Sequence, residues 1–164
     1  MSSQKQPVRS FGEQLSVVDA LIVQAFPEGK KDIRTEHGWS GRGFHIGVLR
    51  ETRDFWEDRS AEVVEPAVQE LEDDLSVLAA ALTGRWGEPT AVDLWPYLGF
   101  DDPDYPDNEP APEPLSTLCG LAVTLQAWRI PSTGRWLGLT IGQVDREFPF
   151  ELLVAVGEES SFPR

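Results

Sequence analysis

The chain is short of the residues that most often carry chemistry or cross-links. It has one cysteine, Cys119, so no disulfide can close within it and a reducing compartment is expected. Histidine occurs twice, as His37 and His45, eight positions apart. Structural zinc asks for four ligands, usually in close Cys or His pairs, and no such spacing exists here. No apolar run approaches the roughly 18 residues of a membrane-crossing helix. The opening MSSQKQPVRS has no apolar stretch of the kind a secretory signal uses, so a cytoplasmic location is the expectation. Positive charge is also scarce: 14 basic residues stand against 28 acidic ones, a formal charge of −14. That balance argues against phosphate-led nucleic-acid binding and against adhesion to an anionic bilayer. Neither nucleic acid nor membrane is expected as a partner.

What remains is ample for a core. The 164 residues are 40% apolar and 10% aromatic, with six Trp and eight Phe, which suits a single domain spanning 1–164. The negative charge is concentrated rather than spread. Residues 57–74 hold Glu57, Asp58, Glu62, Glu65, Glu70, Glu72, Asp73 and Asp74 against Arg59 alone, a balance of −7. Residues 101–114, DDPDYPDNEPAPEP, hold six acids and no base. The remainder of the chain is nearly neutral.

Periodicity divides the chain into helical and extended parts. Residues 1–10 have no pattern and read as a disordered tail. Phe11, Leu15, Val18, Ile22, Ala25 and Phe26 follow helical spacing up to Pro27. Phe44, Ile46 and Val48 alternate, which predicts a short strand near 43–49 with His45 on its outer face. Val64, Val68, Leu71, Leu75, Leu78 and Leu82 are spaced 4-3-4-3-4 and predict a helix over 66–86, preceded by another over 51–65. Glu70, Glu72, Asp73 and Asp74 fall off that stripe and are expected to face water.

Residues 90–98 read as extended. The acidic stretch at 101–114, with five prolines and no apolar pattern, reads as a mobile loop with nothing to pack. The last third alternates in three runs separated by Pro131–Gly134 and by Asp145–Glu147, which predicts a three-stranded meander. Leu121, Val123, Leu125, Leu137, Leu139 and Ile141 are expected to face the helices. The expected fold is therefore α+β, with N-terminal amphipathic helices packed on one face of a small antiparallel sheet that ends in this meander.

Candidate chemistry is thin. The run Gly38-Trp39-Ser40-Gly41-Arg42-Gly43 lacks a Walker lysine or GxGxxG spacing and reads as a turn. Cys119 at the start of an expected strand reads as a small buried hydrophobe. The carboxylates Asp145, Glu147 and Glu151 gather near Arg146, where a solvated turn explains them. No catalytic, cofactor-binding or metal-binding residues are assigned, and no cofactor is expected.

Two segments carry a resemblance. Arg85-Trp86-Gly87-Glu88-Pro89 after an acidic helix, and Arg135-Trp136-Leu137-Gly138-Leu139 followed by Gln143-Val144-Asp145-Arg146-Glu147-Phe148-Pro149-Phe150, look like small acidic actinobacterial proteins without assigned chemistry. In general character, being small, acidic and cysteine-poor, the chain is also similar to toxin-immunity proteins.

These features lead to a non-enzymatic acidic protein-binding module, most concretely an immunity protein neutralising a basic toxin domain. The expected contact residues are Glu62, Glu65, Glu70, Glu72, Asp73, Asp74, Asp101, Asp102 and Asp104, with Tyr97 and Tyr105 as contact aromatics. One alternative is a chaperone or adaptor of a secretion or phage-like system. The other is a small hydrolase or transferase using Glu147, Asp145 or His45.

Overall fold

The computed structural model describes residues 8–99 and 102–163, so Asp101 and residues 1–7 of the expected tail lie outside the described residues. Helix α1 covers Phe11–Val23 and α2 covers Ala61–Trp86. Among the described residues, seven strands follow one another as β1 (Ile33–Arg34), β2 (Gly38–Gly41), β3 (Phe44–Glu51), β4 (Thr90–Asp93), β5 (Thr124–Ile130), β6 (Arg135–Gln143) and β7 (Phe150–Glu158). A single turn of helix, α3, covers Leu115–Leu118. The strands form one sheet in the order β1-β2-β3-β7-β6-β5-β4, antiparallel at every junction. The α+β architecture and the closing β5-β6-β7 meander match the sequence pattern. The hairpin β2-β3 joins that meander through β3 and β7, where Glu51 stands opposite Glu151.

Two helix ends, the start of α1 and the end of α2, have a local cause. Ser10 and Glu13 form a reciprocal capping box: the Glu13 N–H donates to Ser10 Oγ and the Ser10 N–H donates to the Glu13 carboxylate. Ser10 of the expected tail is therefore engaged, as is Arg9, which donates to the Val48 and Leu49 carbonyls. Gly87 ends α2 with φ at +90°, a backbone angle that glycine adopts without strain.

The expected helix over 51–65 does not form. Glu51 is the last residue of β3, residues 52–60 are irregular, and α2 begins at Ala61 and runs unbroken through Pro66. Glu51 and Thr52 are held instead by the neighbouring strand, since the Thr52 N–H donates to the Phe150 carbonyl at 2.9 Å. Pro66 is tolerated because it forgoes a single intrahelical bond close to the helix start.

Both faces of the sheet are covered. On one, Leu71, Leu78 and Leu82 of α2 and Val17, Val18 and Leu21 of α1 pack on Leu49, Trp128, Ile130, Leu137, Leu139, Leu152, Val154 and Val156. Gly47 permits the close approach of α1: a Cβ there would lie 2.9 Å from Leu21 and 3.2 Å from Val154. On the other face, Leu94, Leu115 and Leu118 pack on Phe44, Ile46, Leu125, Ala127, Trp136, Leu153 and Ala155. This second layer is supplied by described residues between β4 and β5, in which the single turn α3 carries Leu115 and Leu118.

The expected sheet face is thus half right. Leu137, Leu139 and Ile141 do face the helices, but Leu121 and Leu125 belong to the opposite layer and Val123 is 72% exposed. The reason is register. Strand β5 starts at Thr124, so Trp128 and Ile130 take the helix side. The expectation that nothing in 101–114 packs is also corrected. Asn108 Nδ2 donates to the carbonyls of Trp95 and Leu98, the Glu109 N–H donates to the Pro96 carbonyl, and Ala111 lies against the second layer.

Candidate acidic docking face

The acidic residues of α2 separate into two sets. At about 100° per residue, Glu62, Glu65, Glu72 and Asp73 fall within an arc about 100° wide, opposite the buried Leu71, Leu78 and Leu82. All four are exposed, and among the described residues none has an ion pair. Asp73 accepts only from Gln69 Nε2. Asp74 and Glu70 lie on the flank instead. The Arg50 side chain, 19% exposed, donates to Asp74 at 3.0 Å and to Glu70 at 3.3 Å. Gln14 Nε2, also buried, donates to the same Asp74 oxygen at 2.9 Å. The expectation that Asp74 faces water is corrected: it ties α1, β3 and α2 together.

The second acidic segment lies on the other side of the molecule. Tyr97 packs on the layer of the sheet face opposite the helices, and Tyr105 stands edge-on to Trp95 with ring centroids 5.1 Å apart. Asp102 and Asp104 are exposed, and Asp102 Oδ1 accepts from the Asp104 N–H. Residues 62–74 and the described residues 97–99 and 102–105 therefore form two surfaces separated by the sheet, and one flat partner surface cannot cover both.

The residues considered for catalysis do not converge. His45 is fully buried rather than on an outer face, because the helices cover the side of β3 to which it points. Its Nε2 donates to the Gln24 carbonyl at 2.9 Å, which leaves Nδ1 to accept from Ser40 Oγ. Burial, with Arg135 nearby, holds its pKa below the ordinary value and the ring neutral. Glu147 is paired with Arg59 at 3.1 Å at the β6–β7 turn. Cys119 caps α3 rather than opening a strand, and burial, helped by Glu113, pushes its thiol pKa up. That is the opposite of what a nucleophile needs.

A cleft of about 860 Å³ escaped the sequence reading. Its walls include Arg34, His37, Arg50, Arg53, Glu51 and Glu151. Glu51 and Glu151 are direct cross-strand neighbours, and burial together with the Glu51 charge raises the Glu151 pKa above its ordinary value. His37 Nδ1 is buried without a partner among the described residues. Glu51 and Glu151 lie one hundred positions apart in the chain, and no short-range pattern announces such a pair. Among the described residues no group of three His, Cys, Asp or Glu side chains can hold a metal ion, and no helix is long and apolar enough to cross a membrane.

Comparison with protein-family models, with curated proteins and with solved structures finds no match.

Proposed function

We propose that this chain is a non-enzymatic module that docks a basic protein through the exposed face of α2, most concretely a cytoplasmic immunity protein that occludes a cationic toxin domain. The observation that carries this reading is the set Glu62, Glu65, Glu72 and Asp73: one helical face, four exposed carboxylates and no counter-charge among the described residues. Like charges along a helix repel one another and cost stability, so the fold gains nothing from collecting them. A basic partner does gain, because a concentrated field steers encounter and speeds association by tenfold or more at low salt.

The test begins with a partner captured from the native host and identified by mass spectrometry. Its association rate is then measured with the wild type and with the combined Glu62→Gln, Glu65→Gln, Glu72→Gln and Asp73→Asn variant. A loss of about tenfold at low salt that shrinks as salt is added supports the proposal. Equal rates at both salts remove it. A partner that is harmless when expressed alone, and is not exported without this chain, makes the module a chaperone or adaptor instead.

One observation favours a second reading. Glu151, protonated more readily than an ordinary carboxyl and set in the cleft opposite Glu51, has the environment of a general acid in a small hydrolase or transferase. A panel of chromogenic esters and glycosides tests it. Turnover that disappears in Glu151→Gln supports this reading, and turnover equal in both proteins removes it.

A further inference from the structure

At one end of the sheet the loop between β3 and α2 is clamped to the loop between β6 and β7. The Phe55 N–H donates to the Glu147 carbonyl at 2.8 Å, the Phe150 N–H donates to Thr52 Oγ1 at 2.9 Å, and Arg59 pairs with the Glu147 carboxylate. Phe55 is 1% exposed and meets Phe150 edge-on at 5.9 Å. The next residue, Trp56, is held outward by that anchor and is 62% exposed. Its ring lies against Phe148 at 5.4 Å between centroids, and Phe148 is itself 39% exposed.

The surroundings of this pair are strongly acidic. Residues 53–65 and 145–148 carry Asp54, Glu57, Asp58, Glu62, Glu65, Asp145 and Glu147 against Arg53, Arg59 and Arg146, a local balance of −4. Arg59 is already committed to Glu147. An exposed indole amid carboxylates matches one side chain better than any other. A guanidinium lies flat on the ring face and gains a cation–π attraction, while its planar fork donates paired N–H bonds to neighbouring carboxylates. An ammonium has the charge without the fork or the stacking surface. The clamped loop also lowers the ordering cost of binding, and interface energy concentrates at Trp and Arg.

We propose that Trp56 and Phe148 form the seat for an arginine on a basic protein partner. This rests on the docking reading above and names its anchor. Uniformly ¹⁵N-labelled protein is titrated at low salt with a short blocked peptide alternating arginine and glycine, and separately with its lysine counterpart of equal charge. The indole N–H of Trp56, assigned by its loss in Trp56→Phe, reports on the seat, and backbone amides near Glu72 and Asp73 report on the helix face. The arginine peptide is expected to move the Trp56 signal and to bind about fivefold more tightly than the lysine peptide. Trp56→Ala and Phe148→Ala are expected each to abolish that preference while leaving the charge-driven binding. Equal affinities with the Trp56 signal unmoved, while the amides near Glu72 and Asp73 shift, overturn the seat and leave the docking face standing. No shift at either place overturns both.

Discussion

The two faces of the sheet are covered by very different means. On one, α2 lays a regular stripe of Leu71, Leu78 and Leu82 across β5, β6 and β7. On the other, the cover comes from the described residues between Leu94 and Leu121, which are helical only in a turn of 3₁₀ helix and in the four residues of α3. Both bury their anchoring leucines completely or nearly so. A regular element makes its own backbone hydrogen bonds. An irregular one depends on single contacts, such as Asn108 to Trp95 and Leu98, to hold its carbonyls. A helix therefore loses packing when a side chain is cut back, while the loop layer can partly collapse into the space.

The largest effect tests that difference directly. Leu78→Ala is expected to cost about 2–5 kcal/mol in chemical denaturation, and Leu94→Ala, outside any helix or strand on the other face, to fall at the low end of the same range, about 2–3 kcal/mol. Equal or reversed costs would break the comparison. Leu75, part-buried in the same stripe, is expected to cost less than Leu78 when truncated.

Charge gives the next largest contrast. Asp74→Asn removes the principal partner of a mostly buried guanidinium and is expected to destabilise by about 1–3 kcal/mol. Asp73→Asn, one residue along, is expected to stay within about 0.5 kcal/mol. If the two variants melt alike, Arg50 is not held as described.

On the loop-covered face, Asn108→Ala is expected to cost about 1 kcal/mol, since it frees two carbonyls that its amide now satisfies. An unchanged melting temperature would return the 101–114 stretch to a passive insertion.

The smallest effect is one of pH. Glu151 holds its proton more tightly in the fold than in the unfolded chain, so between its unfolded and folded pKa values the native state carries more protons and stability falls as pH rises. Glu151→Gln is expected to raise stability slightly at neutral pH. The gain should vanish once the pH lies below the ordinary carboxylate range. His45 has the opposite sign: its depressed pKa makes stability fall as pH drops below about 6.5, so the wild type should weaken on that side.

The same contrast decides what the sequence makes legible. Leu71, Leu78 and Leu82 repeat at a helical period, and Leu137, Leu139, Leu152 and Val154 alternate, so the helices and the meander are readable from spacing alone. Leu94, Leu115 and Leu118 have no period, lie beside a proline-rich acidic run, and give no local sign that they roof a sheet. His45 misleads for a related reason. Alternation marks an inside and an outside only when one face meets water, and around His45 in β3 neither does.

The exposed carboxylates of α2 are legible as a face, whereas Arg50 reaching Asp74 is a meeting of residues 24 positions apart that no pattern encodes. Trp56 and Phe148 stand 92 positions apart, and only the clamp between two loops makes them neighbours.

The pairing of β3 with β7 has a consequence for how the protein is made. Every β7 partner of β3 lies about one hundred residues downstream, from Glu51 opposite Glu151 to Phe44 opposite Gly157. At ribosomal rates of about 5–20 residues per second, the β3 edge waits roughly 5–20 seconds for its neighbour. Through that interval its free backbone groups and its Phe44 and Ile46 side chains are open to other chains. A nascent chain arrested just before Phe150 is expected to be cut by protease within 44–51 and to co-purify with chaperones, and release of the arrest to protect both.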